Sequence, residues 1–176
     1  LMKMVGVREV KKEKLNKIFI EALRVSHDEK INCSQFPMKF DIKNIRPRKC
    51  IVYIWQITDP PGGRSIDENK IQIILPGQGR DERANFAHES DYFTLLVGYR
   101  DDIKIFCLWD AYLYENIPFS RNVQVKEKTL FDAISGGIQT QNRRLWVGPE
   151  TVLTSNTAQL KEAISLRYDM YLGINE

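Results

Sequence analysis

A long polar segment between two apolar, strand-like segments constrains the fold of this chain more than any other feature. The apolar segments IVYIWQI and IQIILP begin at Ile51 and Ile71, and the polar segment extends from Thr58 to Asn69. A tight hairpin joins two strands with only about two to five residues. The connection is therefore far longer than pairing requires, which predicts that the loop has a function of its own.

Segments rich in β-branched and aromatic residues predict most of the secondary structure. Strands are expected at 49–57, 70–75, 92–98 and 103–109, the last two forming an antiparallel pair that turns at 99–102, and RRLWVG and ETVLTS predict two more. Helical spacing of apolar residues predicts helices over 8–27, 127–135 and 157–172, the last one capped by Asn156 or Thr157. The proline-containing segment 28–48 is expected to be irregular. This order predicts an α+β fold, an open β pseudo-barrel flanked by helices.

Composition indicates one globular domain. The 176 residues are 43% hydrophobic and 28% charged, and no apolar run approaches the ~18–20 residues that cross a bilayer. Cys33, Cys50 and Cys107 are odd in number and scattered, which predicts neither a zinc site nor a disulfide framework and favours a reducing, cytoplasmic location. A first residue of Leu1 rather than Met suggests a domain of a larger protein.

The net charge of +3 is small, but basic residues cluster in KFDIKNIRPRK, residues 39–49. A local basic cluster on a nearly neutral protein permits nucleic-acid binding. We expect this row to contact phosphates beside the long loop, through Lys43, Arg46, Arg48 and Lys49.

No catalytic set, metal site or cofactor site is predicted. His27 and His88 lack a nucleophile at a diagnostic spacing, and GQGRDER is interpreted as a turn. One enzymatic alternative stays open: an Mg²⁺-dependent endonuclease in which two carboxylates hold the metal and a lysine polarises the phosphate. Its residues would be Asp59, Glu68 and Lys70.

Two stretches carry a family resemblance. The strand VYIWQI, Asp59, the pair Gly62–Gly63 and the strand ending in IILP resemble the N-terminal arm of B3-like DNA-binding domains of restriction endonucleases. WDAYLYENIPFSRNVQVKEK stands where the second arm of those domains would be, so that the similarity covers about residues 49–130. The order LLVGY, IFCLWDA, FSRNVQV and LFDAISGGI is also similar to a domain attached to bacterial restriction and modification enzymes.

The resemblance implies a single DNA-recognition domain over 1–176, with an N-terminal helix at 8–27, a barrel core of about seven strands at 49–147 and a C-terminal helix at 157–172. It implies site-specific binding of double-stranded DNA by two loops in the major groove, in bacterial defence. Cleavage or methylation would belong to a nuclease or methyltransferase domain or subunit. No cofactor and no membrane contact are expected.

Polar side chains in both arms match what base edges require, because Arg, Asn and Gln bond bases in the major groove. The first arm offers Gln56, Thr58, Arg64, Ser65 and Asn69, with Gly62 and Gly63 allowing close backbone approach. The second arm offers Asn116, Ser120, Arg121, Asn122 and Gln124, with Tyr114 near its base. Arg64, Arg121, Asn122 and Gln124 are the main predicted base contacts.

A second alternative is a reader of modified cytosine that flips the base into an aromatic pocket. Trp55, Trp109, Tyr112 and Tyr114 could build that pocket. Tyr112 and Tyr114 are two residues apart and would share one face of an extended strand. Trp55, Trp109 and Trp146 lie in strand patterns, however, and are expected to belong to the core.

Overall fold

The computed structural model describes residues 11–59 and 67–174. Its helices are α1 (Lys12–Ala22), α2 (Glu127–Gly136) and α3 (Leu160–Leu172), and short 3-10 helices cover Ala111–Leu113 and Thr157–Gln159. Its strands are β1 (Met38–Asp41), β2 (Lys49–Gln56), β3 (Glu68–Ile73), β4 (Arg83–Ala84), β5 (Phe93–Arg100), β6 (Ile105–Trp109), β7 (Ile117–Pro118), β8 (Arg121–Lys126), β9 (Gln139–Leu145) and β10 (Gly148–Asn156).

Six strands form one mixed sheet in the order β1-β2-β5-β6-β10-β9. Strands β2 and β5 pair in parallel, and the other neighbours are antiparallel. Two further two-stranded sheets are made by β3 with β8 and by β4 with β7. The predicted α+β class is confirmed. The described residues contain no closed barrel, and the large sheet is open, with β1 and β9 as its edges.

Both faces of the large sheet are covered. Strand β2 shows why, because residues 50–55 are all buried and alternate between two cores. Cys50, Val52 and Ile54 pack with α1 and α3, whereas Ile51, Tyr53 and Trp55 pack with β3, β8 and α2. A strand buried on both sides is continuously apolar instead of alternating. The result is three layers, with helices on one side of the sheet and a two-stranded ribbon with a helix on the other.

Most predicted elements are present, with differences at their ends. Helix α1 is shorter than the expected 8–27 within the described residues, and Asn156 caps the C-terminal helical segment, its side chain accepting from the N–H of Gln159 at 3.1 Å. The prediction that residues 28–48 are irregular is wrong in part, since this segment contains β1, an edge strand that pairs with β2. Because β1 has only four residues, the alternation of apolar and polar side chains that identifies a strand is too short to recognise in the sequence. The sheet also includes β10, which extends beyond the expected core at 49–147.

No helix in the described part of the chain combines the length and the apolar character needed to cross a membrane.

Gly98, in the middle of β5, provides a test of the packing around the sheet. A Cβ at this position would lie 2.7 Å from Cγ1 of Ile57 and 2.8 Å from Cζ3 of Trp109, both of which are buried. Because these side chains are held in the core, we expect Gly98→Ala to lower the free energy of unfolding by about 1–3 kcal/mol in urea denaturation. Gly79→Ala is the control, since its added Cβ would meet only the exposed side chain of Glu82, at 3.2 Å. Equal stability of the two variants would contradict this packing.

Candidate nucleic-acid interface

The β3–β8 ribbon has one apolar face and one polar face. The strands pair antiparallel from Glu68 opposite Lys126 to Ile73 opposite Arg121. Alternate residues point inward and are buried in the second core, namely Ile71, Ile73, Val123 and Val125. The residues between them form an outer surface that we call the polar ribbon face: Glu68, Lys70, Gln72, Asn122, Gln124 and Lys126.

Side chains on the polar ribbon face bond to one another across the two strands. The Gln124 amide donates to Oε2 of Glu68 at 3.2 Å, and Nζ of Lys70 donates to Oδ1 of Asn122 at 3.4 Å. The Gln72 amide donates to the hydroxyl of Ser120. These contacts orient the amides while leaving them at the surface. The face therefore presents fixed donors and acceptors to a ligand.

Two side chains of the large sheet, one buried and one partly buried, attach the ribbon to it. The backbone carbonyl of Gln124 accepts from Nε1 of Trp109 at 3.0 Å and from Nη1 of Arg143 at 2.7 Å. Arg143 also lies 3.6 Å from the carboxylate of Glu150, whose side chain has no exposure to solvent. Because both donors come from the sheet, the position of Gln124 is fixed relative to β6 and β9.

Glu150 is the charged centre of this attachment. Its carboxylate accepts from the hydroxyl of Tyr114 at 2.8 Å and from the N–H of Asp110 at 3.0 Å. Burial raises the pKa of Glu150, while these two hydrogen bonds and Arg143 act in the opposite direction. A buried carboxylate with several donors is a strong positioning group, since removing any donor leaves charge unpaired.

Arg100 holds the two ends of the long loop together. Its Nη1 donates to Oδ1 of Asn69 at 2.6 Å and lies 3.5 Å from Asp59 and 3.4 Å from Glu127. The backbones of Thr58 and Lys70 also bond to each other, at 2.9 and 3.1 Å. The loop therefore starts and ends beside the Glu68 end of the ribbon.

The structure brings part of the two predicted arms together in a single ribbon. Asn122 and Gln124 lie on the polar ribbon face, and Ser120 bonds to it through Gln72. Arg121 points to the inner side, with its guanidinium 4.8 Å from the ring of Tyr114. Four predicted residues of the first arm lie outside the described residues: Gly62, Gly63, Arg64 and Ser65.

Other predicted contacts occupy different places. Asn69 and Tyr114 are buried, at 0% and 1% exposure, so the structure places them in the interior. Gln56 and Thr58 line a cavity at the start of the loop, and Asn116 is exposed immediately before β7. The expectation that Tyr112 and Tyr114 share a strand face is wrong, because Ala111–Leu113 is a 3-10 helix.

The basic row is not beside the described ends of the long loop. It precedes β2, whereas the loop follows it, and the strand from Lys49 to Gln56 spans about 23 Å. Much of the charge is also paired, because Arg46 lies 2.6 Å from Asp169 and Arg48 lies 3.0 Å from Asp41. The row is therefore a separate surface, and phosphate contact by its residues stays a prediction.

The two alternative sites are arranged differently from their sequence patterns. Glu68 and Lys70 share the polar ribbon face, but Asp59 faces Arg100. Among the described residues, no three His, Cys, Asp or Glu side chains gather to hold a metal. In the proposed aromatic pocket, Trp109 is fully buried and Trp55 lines the cavity near Gln56.

Two of the three tryptophan predictions are confirmed, since Trp55 and Trp109 are buried. The third is wrong, because Trp146 is fully exposed in the two-residue turn between β9 and β10. Sequence reasoning also missed Gln72 and Lys126. The alternation in ENKIQI and RNVQVK places both on the face opposite the buried valines and isoleucines, and that signal could have identified them.

Comparison with known proteins gives a family. The family model described as Methylase-associated X1 (MTaX1) matches residues 48–164, which include both strands of the ribbon and the β9–β10 hairpin. No curated protein and no solved structure matches the chain.

The contacts of Arg100 predict a measurable stability effect. Arg100→Met keeps the apolar stem but removes the charged hydrogen bonds to Asn69 and Glu127, so we expect a loss of about 1.5–3 kcal/mol in the free energy of unfolding. The control is Lys128→Met, which removes an ion pair with Asp132 that is exposed to water and should therefore change stability very little. Urea denaturation measures both. Similar losses in the two variants would show that Arg100 has no special role at the loop.

Proposed function

Because the chain belongs to the Methylase-associated X1 family, we propose that it is the DNA-recognition domain of a restriction–modification or related methylation system. In this proposal it binds double-stranded DNA at a specific sequence. A methyltransferase, or a nuclease of the same system, performs the chemistry in another domain or subunit. The family association supports the biological setting, and the polar ribbon face supports the mode of binding.

The polar ribbon face is the observation that carries this proposal. Paired strands lie about 4.8 Å apart, and the major groove of B-DNA is about 12 Å wide, so a two-stranded ribbon with its side chains fits into it. One face of the ribbon is buried, and the other presents three amides and two lysines against one carboxylate. Such a face can form hydrogen bonds with base edges but contributes little apolar contact.

The residue types on this face suggest a division of work. Asn122, Gln124 and Gln72 each carry an amide, which can bond adenine through N6 and N7. Lys70 and Lys126 can bond guanine or a phosphate, and Glu68 can accept from cytosine N4. The cross-strand hydrogen bonds reduce the entropy lost when these side chains are ordered on DNA.

The long loop is the second part of the proposed reader. Its described ends meet beside the ribbon at Arg100, so Arg64 and its neighbours in the loop would contact the same groove or the adjoining phosphates. The B3-like resemblance is consistent with this arrangement, in which the loop and β8 correspond to the two arms. Arg121, Lys43 and Lys49 would then add contacts outside the polar ribbon face.

A cavity beside the ribbon favours one further candidate, a reader of modified cytosine. The cavity has a volume of about 600 Å³, and its lining includes Phe36 and Trp55 together with Gln72 of the polar ribbon face. Aromatic rings beside polar groups are the surroundings that a flipped base requires. Preference for a methylated duplex would distinguish this candidate from a reader of unmodified sequence.

The decisive experiment is selection of bound duplexes from a randomised pool, with and without cytosine methylation and in the presence of Mg²⁺. Enrichment of a short intact motif is the expected result. Enrichment only among methylated duplexes would support the modified-cytosine reader, and cut products lost in Lys70→Ala would support the endonuclease. If no duplex is enriched or cut at low salt, DNA recognition by this chain is excluded.

Gln124 allows a residue-level test of the polar ribbon face. Gln124→Ala keeps the carbonyl that Trp109 and Arg143 bond, so the ribbon should stay in place while its side-chain amide is lost. We expect affinity for the selected motif to fall by about 1–3 kcal/mol and specificity to relax at one base pair, measured by binding to single-substitution duplexes. Lys161→Ala, an exposed charge on α3 beyond the other side of the sheet, is the control. A uniform loss over all duplexes would contradict base contact by Gln124.

A further inference from the structure

The tip of the β9–β10 hairpin exposes a large aromatic side chain. Leu145 pairs with Gly148, so that Trp146 and Val147 alone form the turn. Trp146 is fully exposed and Val147 is 66% exposed, although Trp is among the residues that most often bury their surface. Together these two side chains form an exposed apolar tip, a kind of surface that is common at sites of contact with other molecules.

The surroundings of the tip are basic and polar. From Gln139 to Pro149 the chain contains no acidic residue, and Arg144 is exposed next to the tip, whereas Arg143 is bonded to Gln124 and Glu150. The exposed residues of β9 are Thr140, Asn142 and Arg144, which are donors that suit phosphate and base edges. The neighbouring carboxylate, Glu150, is buried and already bonded. This charge pattern matches a polyanion better than an acidic or apolar protein surface.

The hairpin is held firmly beside the ribbon. Arg143 bonds the carbonyl of Gln124, and the side chain of Gln141 accepts from the N–H of Lys126 at 2.9 Å. These two contacts show that β9 runs antiparallel alongside β8, so its tip extends toward the Asn122 end of the ribbon. A long ligand such as a duplex that lies on the polar ribbon face and extends past its Asn122 end could therefore reach Trp146, and the hydrogen-bonded hairpin would lose little entropy on binding.

We propose that Trp146 is a wedge that inserts into a base step of duplex DNA next to the sequence read by the ribbon. This inference rests on the proposed DNA-recognition function. Apolar side chains that enter a base step unstack it partly and bend the duplex. Stacking of an aromatic ring on bases also adds affinity without sequence preference. Trp146 would thus strengthen and bend the complex while the ribbon selects the site.

Trp146 can be followed directly because the other tryptophans are buried. In the free protein, acrylamide should strongly quench the fluorescence of Trp146 and only weakly quench the fluorescence of Trp55 and Trp109. On a duplex carrying the selected motif, Trp146 should become protected, and a 2-aminopurine at the flanking step should brighten. Trp146→Ala should weaken binding by about 10-fold or more and abolish bending in a circular-permutation assay.

Two variants serve as controls. Trp146→Phe keeps an aromatic wedge and should retain most of the bending and affinity. Tyr171→Ala removes a half-exposed aromatic side chain from α3, on the other face of the sheet, and should leave both unchanged.

The outcomes separate this inference from the function it rests on. Two results together would overturn the wedge and leave DNA recognition intact. Acrylamide would still quench Trp146 when the wild-type protein is bound to the motif, and Trp146→Ala would change neither affinity nor bending. The exposed tip would then belong to a protein partner. Absence of any duplex binding by the wild-type chain would overturn both.

Discussion

The backbone carbonyl of Gln124 is the point on which the arrangement of the candidate surface depends. It accepts from Trp109 of the central sheet and from Arg143 of the edge strand, so that a single oxygen joins strands β6, β8 and β9. Arg143 is in turn held by Glu150, which also bonds Tyr114 and the backbone of Asp110. Because Trp109, Tyr114 and Glu150 are buried and Arg143 is mostly covered, these polar groups lose most of their solvation and need one another as partners. Strand β8, the β9–β10 hairpin and the sheet consequently behave as one rigid unit.

This attachment explains how a two-stranded ribbon can be stable while one of its faces is entirely polar. An isolated ribbon is marginal in water, and it needs an apolar face packed on a larger structure. Ile71, Ile73, Val123 and Val125 provide that face. Alternation then sends every intervening side chain outward, where none contributes to the core. The outward residues are therefore constrained little by folding, which is a useful property for a surface that must match a particular ligand.

The sequence predicts the helices and strands of this fold better than it predicts which strands pair with each other. Strands β2, β5 and β6 are long and apolar, and their burial on both faces makes them easy to recognise. The pairing of β3 with β8 is different, because about fifty residues separate the strands and periodicity defines a face but not a neighbour. Arg100 is missed for the same reason, since Asp59, Asn69 and Glu127 meet only in the folded chain. Trp146 is misjudged because Leu145, Trp146 and Val147 form a strand-like apolar run that the hairpin turn interrupts.

The distribution of paired charges has a consequence for the proposed function. Four arginines, at positions 46, 48, 100 and 143, are engaged with carboxylates, and the polar ribbon face has only Lys70 and Lys126 against Glu68. Phosphate neutralisation supplies most non-specific DNA affinity, so a surface with few unpaired cations binds random sequence weakly. Such a reader gains its selectivity from amide contacts with bases, which depend little on salt. In the proposed system, the partner with the methylase activity would then supply the non-specific search along DNA, and this domain would hold the complex only where the bases fit the ribbon.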